Sequence, residues 1–101
     1  MYTAQLGLAL PIAIRYPRGK GQLTNWKQPF EKIEIGRGVQ LKEGYKTAVL
    51  SVGAISENVK LAIDNSNNKD AIAHYDMRFI KPLDESLLNS IFEKHEKIIT
   101  V

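Results

Sequence analysis

Thr47-Ala48-Val49-Leu50-Ser51-Val52-Gly53 is the stretch on which the fold turns. It is short and almost wholly apolar, as in a parallel strand buried on both faces, and Gly53 closes it. Downstream, residues 56–66 repeat at helical spacing, with Val59, Ala62 and Ile63 on one stripe and Ser56 as the expected N-cap. Residues 65–70 are polar turn chemistry, and residues 71–75 form a further strand. A loop over 77–83 ends at Pro82. Asp84 then caps a second helix whose Leu87, Leu88, Ile91 and Phe92 share a face. Lys94, His95 and Lys97 follow as cations suited to a helix C-terminus, and residues 97–101 begin a fourth strand. Strand, helix, strand, helix, strand predicts an α/β fold: a three-layer sandwich with a mostly parallel sheet.

Upstream the pattern is less regular. Ile33, Ile35, Val39 and Leu41 are strand-like, but Gly36 and Gly38 interrupt them, which predicts a bulged strand over 31–41. Residues 20–32 are polar and aperiodic, with breakers at Gly21, Asn25 and Pro29, and read as a surface linker. Within it, Trp26 and Phe30 either pin the linker to a neighbouring domain or cover a small satellite core. Residues 1–8 read as a helix tail and residues 11–16 as one further strand.

That last strand runs into Arg15-Tyr16-Pro17-Arg18-Gly19-Lys20-Gly21. Proline cannot donate to a ladder, glycine lets backbone approach a ligand, and a guanidinium fork held at such a break suits phosphate. Arg15 and Tyr16 alternate, so one supports a pocket while the other packs elsewhere. Read by residue type alone, Arg18 is more readily a surface arginine paired with a carboxylate.

Composition narrows the rest. With 101 residues, 44% hydrophobic, the chain makes one small core. There is no cysteine, hence no disulfide or thiolate metal site, which suits a cytoplasmic protein. No run of residues has the length of a membrane span. A net charge of +3 and a single aromatic among the cations argue against a nucleic-acid binder. His74 and His95 have no metal-like spacing, no triad order appears, and no catalytic or metal-binding residue is assigned. His74 reads as a satisfied strand histidine. Gly36-Arg37-Gly38 reads as a strand bulge more readily than an anion nest, and Asp76, Arg78 and Lys81 as an internally paired loop.

Four segments carry a resemblance in the right order: Arg15-Tyr16-Pro17-Arg18-Gly19, Ile33-Glu34-Ile35-Gly36-Arg37-Gly38, Asp76-Met77-Arg78-Phe79-Ile80-Lys81-Pro82-Leu83-Asp84, and Ile98-Ile99-Thr100-Val101. Together they resemble the 1-deoxy-D-xylulose-5-phosphate synthase family of the transketolase superfamily. The resemblance implies a piece of a longer enzyme. Residues 1–19 would end its middle, pyrimidine-binding domain, residues 20–32 would be the linker, and residues 33–101 the truncated C-terminal domain. It implies a cytoplasmic homodimer that uses thiamine diphosphate and Mg²⁺. Such an enzyme condenses pyruvate with glyceraldehyde 3-phosphate, losing CO2, and supplies isoprenoid, thiamine and pyridoxal synthesis. It implies that Arg18 contacts the substrate phosphate; Arg15 and Tyr16 remain the two candidates for pocket support. The superfamily's Gly-Asp-Gly…Asn pattern is absent here, so the piece alone is expected to be inactive and to bind neither cofactor. Two alternatives stay open: the C-terminal-type domain of a transketolase or 2-oxo-acid dehydrogenase, and a non-catalytic dimerisation module.

Overall fold

The computed structural model describes residues 1–19, 27 and 29–101. They fall into two compact units, Met1–Glu34 and Ile35–Val101.

The larger unit is built on four strands: β1 (Val39–Lys42), β2 (Thr47–Ser51), β3 (Ile72–Asp76) and β4 (Lys97–Thr100). Their order across the sheet is β1-β3-β2-β4. The apolar run that the sequence singled out is β2, and it is central. It pairs in parallel with β3, Thr47 to Ile72 through Ser51 to Asp76, and in parallel with β4, Thr47 to Lys97 through Leu50 to Thr100. Only β1, against β3, is antiparallel. The sheet is therefore mostly parallel, as expected.

Two helices complete the unit, α2 (Ile55–Asp64) and α3 (Glu85–Lys94); α1 (Tyr2–Gln5) belongs to the smaller unit. The chain steps one way from β2 through α2 to β3. It then steps back across β2 through α3 to β4. Crossovers of one hand that travel in opposite directions lie on opposite faces of the sheet. The cores show this. Ala48, Leu50, Ala73, Tyr75 and Met77 gather against Ile91 of α3, whereas Val49 of the opposite face gathers against Val59 and Ile63 of α2. Alternation along β2 and β3 thus splits one hydrophobic run into two cores.

Several local expectations are corrected. Ser56 is not the N-cap of α2. That position falls to Ala54, with no side-chain capping bond, because the helix begins directly after the Gly53 turn, where the Ser56 N–H donates to the Gly53 carbonyl. Phe92 does not join Ile91 in the core; it is 61% exposed, since the sheet meets only part of the α3 stripe. Gly36 and Gly38 do not bulge a strand. Residues 35–36 form a turn, with Gly36 at a φ of +76°, and β1 starts only at Val39. The irregularity in the ladder lies instead between Gln40 and Lys42.

In the unit Met1–Glu34, the helix tail is one turn, α1 (Tyr2–Gln5). Residues 11–16 are extended but form no strand. A strand exists only through ladder bonds to a neighbour, and the described residues of this unit offer none. Phe30 stacks on Tyr2 with ring centroids 5.6 Å apart, and the Ile33 N–H donates to Thr3 Oγ1 at 2.9 Å. The remaining linker expectations, Lys20, Gly21, Asn25 and Trp26 among them, lie outside the described residues.

Candidate functional site

The first candidate is the segment from Arg15 to Gly19. Pro17 interrupts the backbone's donors, and the chain bends at Arg18 and Gly19. Arg15, Tyr16 and Arg18 are all exposed, Tyr16 at 83%. Among the described residues neither guanidinium makes a hydrogen bond or ion pair. The structure therefore places the three predicted residues on one exposed stretch, with both guanidiniums uncommitted among the described residues.

The second candidate, Gly36-Arg37-Gly38, is already occupied. Asp84, the residue before α3, fills it with its own carboxylate. Oδ1 accepts the Leu87 N–H at 3.0 Å and the Ser86 hydroxyl at 2.8 Å. Oδ2 accepts the Gly38 N–H at 3.1 Å, and the Arg37 Nη1 donates to Oδ1 at 3.4 Å. The Leu87 amide foremost, then Ser86, Gly38 and Arg37, hold the Asp84 carboxyl below the usual range against the opposing effect of burial. So Asp84 caps α3 as expected and also ties residues 37–38 to that helix. The internal pairing expected of Asp76, Arg78 and Lys81 does not form among the described residues. Asp76 Oδ1 instead accepts the Arg78 N–H at 2.9 Å, and Arg78 has a φ of +56°.

The sequence did not reveal a buried polar chain beneath α2. Ser51, at the end of β2, has its Oγ 2.8 Å from His74 Nε2 and 2.7 Å from Ser56 Oγ. The β2–β3 register puts Val49 opposite His74, so His74 projects to the α2 face beside Ser51. Burial pushes the His74 pKa down, while the Asp76 and Glu57 carboxylates oppose that shift. His74 is thus the satisfied strand histidine expected. The available signal was a serine ending an apolar strand with another five residues on; only the register could pair it with His74.

His95 overturns its expectation as a helix-end cation. It is buried on the α3 face, its Nε2 lies 3.0 Å from the Tyr75 hydroxyl, and its Nδ1 has no partner. Burial first, and then the Lys94 ammonium, depress its pKa, which favours the neutral ring. The helix ends at Lys94, so His95 is extended rather than helical, and its ring turns inward. Burial also raises the Tyr75 pKa, with Glu43 adding to the effect.

No cluster of three metal-ligating side chains occurs among the described residues, and no helix there is long and apolar enough to cross a membrane.

Comparison with known proteins fits this architecture. Residues 36–101 match the family model of the transketolase C-terminal domain. Across its whole length the chain is 48% identical to a 1-deoxy-D-xylulose-5-phosphate synthase of Phocaeicola vulgatus and 46% identical to one of Bacteroides thetaiotaomicron. A synthase of the same name from Cytophaga hutchinsonii is 48% identical. In each case the chain spans 16% of the relative's length. A mostly parallel sheet between two helical layers, matched from Gly36 to the last residue, places this chain in the transketolase C-terminal domain family, in the form carried by 1-deoxy-D-xylulose-5-phosphate synthases.

Proposed function

We propose that this chain is a section of an enzyme that condenses pyruvate with glyceraldehyde 3-phosphate, losing CO2, to form 1-deoxy-D-xylulose 5-phosphate. Residues 1–19 close its middle domain, 20–32 link, and 33–101 form the C-terminal domain. The observation that carries the reading is that the likeness to synthases of that name includes Arg15 to Gly19 and is not confined to the folded domain. Arg18 is the phosphate anchor. Its guanidinium is exposed and uncommitted among the described residues, and it follows a proline that restricts the backbone. A phosphate gripped away from the reacting aldehyde supplies binding energy that orients the aldehyde. Of Arg15 and Tyr16, which alternate along the chain, one supports the same pocket.

Thiamine diphosphate and Mg²⁺ belong to the proposed whole enzyme, a cytoplasmic homodimer. The residues present here do not fit them: the described residues hold no group of three carboxylate or imidazole ligands, and the sequence lacks the Gly-Asp-Gly…Asn pattern. No step is assigned to this chain through either group, and by itself it is catalytically silent.

The test is Arg18→Ala in the full-length enzyme that contains this segment. Charge-assisted hydrogen bonds of about 1.5–3 kcal/mol correspond to a rise of roughly 10- to 150-fold in KM for glyceraldehyde 3-phosphate. The KM for pyruvate stays within about twofold, because uniform binding of the other substrate is untouched. A change confined to pyruvate refutes the assignment.

A further inference from the structure

His95 joins the end of α3 to the start of β4. Its ring stands edge-on to that of Tyr75, with centroids 5.8 Å apart at 75°. His95 is 8% exposed and Tyr75 3%. Nε2 lies 3.0 Å from the Tyr75 hydroxyl. Among the described residues, Nδ1 is the one buried side-chain polar atom without a hydrogen bond. We propose that the α3–β4 junction is a proton-operated latch: it closes around a neutral His95 ring and opens to admit a proton, freeing β4 from β2 at mildly acidic pH while the rest of the sheet stays folded.

The argument is a count of donors. A neutral imidazole carries one N–H and an imidazolium two. The Tyr75 hydroxyl satisfies one ring nitrogen in either case. In the cation, Nε2–H donates to the Tyr75 oxygen and Nδ1–H meets no acceptor. A buried charged donor left unpaired costs more than a neutral one. The surrounding charges do not relieve it. From α3, the Lys94 ammonium opposes the cation. From β3, Tyr75 offers only a neutral phenol, kept so by burial and by Glu43 of the β1–β2 connection. The side chains of Lys46, Glu96 and Lys97, also at this junction, are exposed. The closed junction thus excludes the proton that a solvated ring accepts. The backbone around the ring links its movement to β4. The His95 N–H donates to the Ile91 carbonyl at 3.1 Å, and the next two N–H groups, of Glu96 and Lys97, both donate to the Lys46 carbonyl, at 3.0 and 3.3 Å. β4 is an edge strand that pairs only with β2 among the described residues. It can therefore leave without breaking another ladder, as local opening requires.

The experiment is native-state amide exchange of the 101-residue chain at about pH 7.5 and about pH 5.5, on either side of the ordinary histidine pKa. Rates are expressed as protection factors, which divide out the intrinsic effect of pH, and the His95 ring ¹⁵N shifts are followed over the same range. A ring that takes its proton only when the junction opens raises the open population about tenfold between those two pH values. The Glu96 and Val101 amides, which donate to the Lys46 and Leu50 carbonyls, should therefore lose about tenfold in protection. That loss should not change with urea up to about 1 M, because a local opening exposes little surface. The ring shifts should stay those of the neutral form. In His95→Gln, which cannot take up the proton, the pH dependence should vanish. The proposal is overturned if the folded ring titrates near its ordinary pKa with protection intact, if protection falls only through urea-sensitive global unfolding, or if the loss persists in His95→Gln. The first two outcomes are read on the unaltered chain, so they decide the matter even where the variant fails to fold.

Discussion

Replacing Gly44 with alanine should damage the sheet out of proportion to one methyl group. Gly44 lies in the connection from β1 to β2, against the backbone of β3. A Cβ built there would stand 2.2 Å from the Ile72 carbonyl carbon, 2.3 Å from the Ala73 nitrogen and 2.7 Å from the Ile72 oxygen. All three are backbone atoms, so no side chain can swing aside. Ordinary contact begins near 3.4 Å; the connection and β3 would have to part by about 1.2 Å, the difference between 3.4 and 2.2 Å. That displacement would strain the adjoining bond from the Lys46 N–H to the Ala71 carbonyl, now 3.0 Å. Overpacking of this kind costs about 3 kcal/mol or more. In a domain of this size that lowers Tm by roughly 12–24 °C. Gly53→Ala is the comparison. Gly53 has a φ of +75° and nothing within 4 Å of its would-be Cβ, so it tests backbone strain alone, at about 1–2 kcal/mol. Urea titrations followed by far-UV circular dichroism give both values. If Gly44→Ala proves no less stable than Gly53→Ala, the close approach of the connection to β3 is not what holds glycine there.

Two further predictions concern the core. Ile91→Ala, at a site 1% exposed, should cost about 2–5 kcal/mol, whereas Phe92→Ala, on the exposed side of the same helix, should stay within about 0.5 kcal/mol; equal urea midpoints would contradict the two-sided packing. Both histidines have folded-state pKa values below their ordinary value. Each therefore binds its proton more weakly when folded, so its contribution is complete above about pH 6.5 and is lost as pH falls below it. Urea midpoints taken from pH 7.5 downward should decline through that window, and the decline should flatten in His95→Gln; an unchanged slope would show that His95 does not titrate with unfolding.

Much of this architecture was legible because its signals are local. β2 declared itself through an unbroken apolar run, and Asp84 through its place after Pro82 and before a helical stripe. The His95 expectation failed for a definite reason. A cation after a helix is favoured by the helix dipole, yet here the chain turns extended at His95 and the ring meets Tyr75. The strand expected over residues 11–16 failed because an apolar run with prolines at 11 and 17 can be extended without any neighbour to pair with.

By itself, the order of residues determined the kinds of element, the mostly parallel sheet and the family resemblance, since periodicity, capping and motif all act over a few neighbouring positions. Only the tertiary structure decided which residues meet across the sheet. That Ser51 reaches His74, that Gly44 touches Ile72 and that Arg37 closes on Asp84 depend on strand register and on the path of two crossovers, and those contacts join positions from 23 to 47 residues apart, whose pairing no local preference encodes.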